Sequence, residues 1–361
     1  MCASSPEPER RAAVARQLGD AGLDASLVTA AANLRYLTGF TGTNGWLLLA
    51  TGTSILLTDS RYLEQAQAQT EGVQVITGAK GLLGCLGATL DERGWQRLGY
   101  DPQHTTVALE QRLCALEGVD WVCFSGVVET LRSRKGAAEI EAMGRALELT
   151  VSALLGVAEG VKPGSSEREI AAELEYACRR RGADGMAFET IVASGPRTAL
   201  PHGLASDRRV QIGEPLMIDV GCRLDGYCSD LTRMVWVGDE VDREWLQLYR
   251  VVQKAQAAAI DVIGPGVAAA AVDRAAREVI EDAGYGEAFS HGTGHGVGLE
   301  IHEAPSVSPR SEDRLEAGMV ITIEPAIYQP VRRGIRLEDM LCVNADGCVR
   351  LTPLGADPIL A

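Results

Sequence analysis

Apolar and polar positions along this chain alternate with two periods, and the switches between them outline its elements. Over residues 23–130, short apolar runs are separated by turn residues and helical patterns. LDASLVT (23–29), GWLLLA (45–50) and SILLTD (54–59) predict strands, the last two joined across Thr51-Gly52-Thr53 as a hairpin. RYLEQAQAQ (61–69) and TVALEQRLCALEG (106–118) predict helices, and WVCFSG (121–126) a further strand. The pattern describes a small α/β domain. Its most noticeable polar residues, Asp59 and Arg61, are accounted for by a turn and a surface ion pair. Residues 1–13 carry no apolar period and are expected to form a short disordered tail.

From RSRKGAAE (132–139) onward the period is helical and longer. Ile140, Met143, Leu147, Val151, Leu154 and Ala158 form one stripe, stopped by Gly160 and Pro163-Gly164. A second helix starts at Ser166, with Glu169 three residues on as a capping box. It carries Ile170, Leu174 and Cys178 inward and closes at Gly182. The same arrangement recurs: a helix over about 243–263, then one carrying Val272, Ala276 and Ile280 before Gly284, at a constant offset of 102. GEPLMIDVG (213–221) matches GMVITIEPA (318–326) at an offset of 105, which sets Asp219 on Glu324. Two similar halves about a pseudo-two-fold axis would bring one acid from each to that axis.

Asp219 interrupts an apolar strand, where an unpaired carboxylate is costly. Asp225-Gly226 is a two-residue hairpin signal. The hairpin it predicts sets Asp219 opposite Thr232 and Asp230 opposite Gly221, both aspartates on one face, with the glycine leaving room between them. Arg233 alternates to the other face, so no cation of this segment answers the two charges. Glu324, held extended by the following proline, and Glu338 in GIRLEDM add two more acids in apolar settings. Each alone is explained by a strand edge or an ion pair; four together ask for cations. HGTGHGVGLEIHE (291–303) concentrates three of the chain's five histidines among glycines, which allow backbone to crowd a centre into which His291, His295 and His302 project. Carboxylates with imidazole suit hard or borderline divalent ions, and four acids would be offset by two of them, a hydrolytic arrangement.

Composition narrows the partners. The chain has 361 residues and a net charge of −15, which argues against nucleic acid or an anionic membrane surface. No run of about 18 apolar residues spans a membrane and the start lacks a secretory h-region. Nine cysteines without a Cys-x-x-Cys pair read as reduced thiols in a cytoplasmic protein, with Cys222 and Cys228 as small buried fillers.

These motifs, with IDVG, SDLTR, TIEP and RLED in this order and spacing, resemble the M24 peptidases of the pita-bread fold, and among them the prolidase (Xaa-Pro dipeptidase) and aminopeptidase P type. The resemblance implies a creatinase-type α/β N-terminal domain over 1–132, including NLRYLTGFTG and LLTDSRYLEQA, and an α+β pita-bread catalytic domain over 133–361 with an internal pseudo-two-fold repeat. It implies five metal ligands, Asp219, Asp230, His295, Glu324 and Glu338, holding two divalent ions per chain, with Asp230 and Glu338 bridging. The oxygen-rich donors point to manganese, with cobalt or zinc as alternatives. It further implies Glu324 as acid/base, His302 or His291 as oxyanion donor, and His202 or Glu324 as the source of the proton for the proline nitrogen. His104 is left as a surface residue. A short proline-containing peptide is the implied substrate and a homodimer the implied assembly.

A dipeptidase must receive a free carboxylate. Arg336, two residues before Glu338, is one candidate, its other role being an ion pair to Asp219 or Glu338; Arg35 or Arg61 could act instead. Aminopeptidase P, acting on longer chains, is the alternative activity. A non-catalytic pita-bread binding module, or a metal-free creatinase-like hydrolase, is disfavoured because such members have lost ligands that this chain keeps.

Overall fold

The computed structural model of the protein describes residues 6–238 and 242–361. The chain divides into two compact units, Met1–Arg132 and Ser133–Ala361. Among the described residues no helix is long and apolar enough to cross a membrane.

The first unit is built on a six-stranded mixed sheet. Its strand order is Gln74–Thr77, Thr53–Thr58, Gly45–Ala50, Ala25–Val28, Arg97–Tyr100, Asp120–Cys123. Ala50 pairs with Thr53, so the predicted hairpin forms with a two-residue loop. Asp59 and Arg61 make the expected exposed ion pair, 2.8 Å long. The expected tail is a correction. Residues 1–5 lie outside the described residues, but Glu7–Asp20 is a helix. Val14 and Leu18 bury one side of it, and the Arg11 guanidinium donates to Leu37 O (2.8 Å) and Glu71 O (2.7 Å). His104 also differs from expectation: it is half-buried, with Nε2 2.8 Å from Glu129.

The second unit repeats itself. Helices Ala137–Ala158 and Glu167–Arg180 answer to Arg243–Asp261 and Ala269–Asp282, the second pair offset by 102 residues at both ends. Ser166 caps its helix as a capping box with Glu169, as the sequence predicts. In one sheet Thr232–Trp236, Pro215–Asp219 and Ile191–Ser194 lie side by side; in the other, Asp339–Asn344, Val320–Ile323 and Gly294–Gly296 take the same order. Alternation along the first sheet sends Leu216, Ile218 and Val235 into a core with helix residues Leu154, Ile170 and Leu174. Met217, Met234 and Trp236 face the opposite way, into a core shared with Val252, Val272 and Ile321 of the second half. The two halves are thus joined through apolar packing, and the carboxylates stand where their sheets meet.

Candidate active site

Asp225 and Gly226 both take positive φ (52° and 80°), which only a glycine or a short polar residue adopts at low cost, and the two-residue turn fixes the register of the returning strand. Thr232 pairs with Asp219, and Leu224 with Tyr227. The predicted role of Gly221 needs revision. A side chain there would meet Ser229 O at 2.1 Å and the Phe188 ring at 2.7 Å, so the glycine makes room for Phe188 and backbone, not for the aspartates. Arg233 does face away from Asp219, but into a buried place: its guanidinium pairs with Asp339 at 2.6 Å and donates to Glu338 O at 2.5 Å, with the Arg233 and Asp339 side chains fully shielded. This ion pair ties the two halves together beside the site.

The histidine segment is held by packing that only glycine permits. A Cβ on Gly294 would sit 1.9 Å from Thr322 O, and one on Gly296 2.2 Å from Ala304 O. His295 therefore lies between the Glu303–Val307 and Val320–Ile323 strands. From the neighbouring helix, Asp273 accepts from Thr293 N (3.1 Å) and Thr293 Oγ1 (2.9 Å), while Arg277 donates to His291 O (2.8 Å).

One cavity of about 450 Å³ collects the acids and histidines expected from sequence: Asp219, Asp230, Glu324 and Glu338, with His202, His291, His295 and His302, and Arg336 behind them. Asp230, His295 and Glu338 place ligand atoms within 4.8 Å of one another. His295 Nε2 is 3.5 Å from Asp230 and 3.6 Å from Glu324. Its Nδ1 lies 3.0 Å from Gly296 O, which places the proton on Nδ1 and leaves the Nε2 lone pair facing the carboxylates. Burial holds this imidazole down at about 4, and so neutral.

The carboxylates are displaced the other way. Burial first, then the charges of Asp219 and Glu324, raises Asp230 well above the usual range. Burial, followed by Asp230 and Glu324, does the same to Glu338. Burial lifts Glu324 to about 7, with Arg336 opposing and Asp219 adding to the rise. Asp219 is raised by burial against the pull of Arg336, and its Oδ1 is buried with no hydrogen-bond partner. An unanswered buried oxygen, crowded acids and a neutral imidazole with a free lone pair form a donor set suited to divalent cations.

Each nitrogen of Arg336 has a partner. Its guanidinium contacts Asp219, and donates to Pro201 O (2.9 Å), Tyr328 Oη (2.7 Å) and Thr232 Oγ1 (3.1 Å). Thr232 in turn donates to Glu338 Oε2 at 2.7 Å. His291 Nδ1 lies 2.7 Å from Gly292 O, so it carries the proton; Nε2 then accepts from the Tyr328 hydroxyl 3.1 Å away. His291 is half-buried, its pKa pushed down to about 4 by desolvation, whereas His202 and His302 are exposed at the rim. His302 meets His295 edge-on, with ring centroids 4.5 Å apart.

Sequence reasoning does not single out Thr232 or Tyr328 as functional. Thr232 is legible as the partner of Asp219. Tyr328 can be found only by counting two residues along the strand from Ala326, which places it on an inward position.

Comparison with known proteins agrees with this architecture. Residues 10–134 match the creatinase/prolidase N-terminal domain, and residues 141–345 match metallopeptidase family M24. An Xaa-Pro dipeptidase of Pyrococcus horikoshii is 36% identical over 335 residues, covering 91% of this chain and 93% of the relative. The structure of an Xaa-Pro dipeptidase from Bacillus anthracis superposes with a TM-score of 0.95 at 35% identity, over 98% of this chain and 100% of the other. An X-Pro aminopeptidase from Thermotoga maritima superposes at 0.89 with 36% identity, over 94% and 98% of the two chains. The fold is the pita-bread fold with a creatinase-type N-terminal domain, and the chain belongs to metallopeptidase family M24.

Proposed function

We propose that this protein is an Xaa-Pro dipeptidase, cleaving the bond before proline in a dipeptide, with two divalent cations held by Asp219, Asp230, His295, Glu324 and Glu338. The observation that carries the reading is the convergence of these five side chains, from both halves of the repeat, on one buried cavity. Manganese suits the predominance of carboxylate oxygen. When bound, the cations would polarise the scissile carbonyl and lower the pKa of a water.

The chain's own residues supply the proton chemistry. Glu324, which reaches the cavity with Oε1 3.6 Å from His295 Nε2, is placed to accept a proton from the attacking water and to return it. The proline nitrogen is tertiary in the peptide and leaves only when protonated. Glu324 returning its proton, or His202 at the rim, supplies it at that nitrogen. His291 has no spare donor, because Nδ1–H serves Gly292 and Nε2 accepts from Tyr328. His302, exposed beside His295, is therefore the better donor to the carbonyl oxygen as it gains charge.

Of the two roles open to Arg336, the ion pair to Asp219 fits its surroundings, since all its nitrogens are occupied. That favours keeping a second reading, aminopeptidase P, which needs no receiver for a carboxylate one residue after the cut. Assay of the manganese-loaded protein on Leu-Pro beside Leu-Pro-Ala separates the two. Cleavage of the dipeptide supports the proposal; cleavage of the tripeptide alone replaces it with the second reading. No cleavage of either overturns both.

A further inference from the structure

The substrate cavity carries one carboxylate outside the ligand cluster, Glu189. It is exposed, and among the described residues it takes part in no hydrogen bond or ion pair. Its place is set by the same packing that fixes Asp219. Ala187 N donates to Gly221 O at 2.9 Å, and the Phe188 ring occupies the space left by the missing side chain of Gly221. Ile191 pairs directly with Asp219, and Glu189 stands two residues before it. Ile191 and Glu189 both line the cavity while the buried Thr190 between them does not, which is the alternation of extended chain. Two residues of extended backbone span roughly 7 Å. Glu189 therefore lines the cavity one extended step beyond Ile191, the residue paired with Asp219.

The charges of the wall are unequal. Arg336 is the one lysine or arginine among the described lining residues, and its guanidinium is spent on Asp219, Tyr328, Thr232 and Pro201. Among the described lining residues no lysine or arginine is left to receive an acidic side chain, whereas Glu189 is free to receive a basic one. Phe188, Ile191, Leu204 and Ile301 line the same cavity and suit the methylene stem of a lysine or arginine.

We propose that Glu189 is a specificity-determining residue that selects peptides with a cationic side chain before the scissile bond, over neutral ones and more strongly over acidic ones. The inference rests on the Xaa-Pro hydrolase reading and adds the class of its first residue. A carboxylate at a solvent-exposed rim gives a modest preference, of about two- to five-fold, that weakens with salt.

The test compares kcat/KM of the manganese-loaded enzyme on Lys-Pro, Leu-Pro and Glu-Pro. The wild type should rank them in that order. In Glu189→Gln the Lys-Pro to Leu-Pro ratio should fall to about one, mainly through KM, and in Glu189→Lys it should invert in favour of Glu-Pro. Raising the salt to about 0.5 M, on the order of a 4 Å screening length, should shrink the wild-type ratio and leave that of Glu189→Gln unmoved. A general loss of activity cancels in the ratio. Equal ratios in wild type and both variants would overturn the role of Glu189. A wild type that cleaves none of the three removes the dipeptidase reading, and the same ratios are then read on Lys-Pro-Ala, Leu-Pro-Ala and Glu-Pro-Ala; cleavage of none of these would remove the hydrolase reading, and this inference with it.

Discussion

The Arg336 guanidinium binds one carboxylate oxygen of Asp219 and leaves the other, Oδ1, buried and without a donor. One residue thus orients the acid and holds its charge, while Thr232 links the same guanidinium to Glu338. A cation is what the free oxygen lacks.

Arg336→Lys keeps the charge but supplies one nitrogen where four partners now meet three. Groups that orient metal-binding side chains are worth about 10- to 100-fold in affinity or activity. We expect kcat/KM on Leu-Pro to fall by that amount, together with weaker manganese binding by titration calorimetry. Unchanged metal affinity in this variant would contradict the orienting role.

Glu324→Gln removes the proton acceptor at nearly the same size and shape. A loss of about 10²- to 10⁴-fold in kcat is expected, with the far-ultraviolet spectrum unchanged. His295→Ala should abolish activity while the protein stays folded, since its imidazole is presented by backbone that remains in place. Full activity in either variant would refute the assignment.

The metal-free protein should be destabilised by alkali. Glu324 is raised by burial from 4.5 to about 7, and Asp230 and Glu338 move in the same direction. A carboxyl whose folded pKa lies above its unfolded value stabilises the fold fully below the unfolded pKa, and loses that contribution as pH rises through the folded one. The buried His291 and His295, lowered to about 4, act oppositely and add stability as pH rises to their unfolded value of 6.5, so with EDTA the drop in Tm should show above about pH 6.5, where only the raised carboxyls still titrate. Manganese should remove most of the drop. A Tm in EDTA that stays level or rises above about pH 6.5 would be contrary to this.

Gly294→Ala would drive a methyl group to 1.9 Å from Thr322 O, where the strand has nowhere to move. We expect a cost of about 3 kcal/mol or more, read as a lower urea midpoint. Gly144→Ala, on a helix position with nothing within 4 Å, should leave stability level or slightly raised.

What a pattern can carry decides how much of this is legible in the sequence. The Asp225-Gly226 turn sets the pairing of Asp219 with Thr232, because a two-residue loop admits one register. The repeated helix stripes set the correspondence of the halves. Alternation tells that Arg233 faces away from Asp219, but not that Asp339 meets it there, since what covers a sheet face depends on distant chain. The helix Glu7–Asp20 escapes the pattern because Val14 and Leu18 are its few apolar markers in a run of arginine and glutamate, and its anchor is a buried Arg11. The packing at Gly221 is hidden for a related reason. Glycine announces crowding without naming the neighbour, here Phe188.

The central claim is that acids from both halves share a pair of cations. Anomalous diffraction from manganese-soaked crystals, recorded on both sides of the manganese edge, tests it most directly. Two peaks a few ångströms apart, each within bonding distance of carboxylates from Asp219, Asp230, Glu324 or Glu338 and one of them touching His295, are the predicted result. Manganese absent from this cavity, or bound elsewhere with these side chains turned apart, would contradict it.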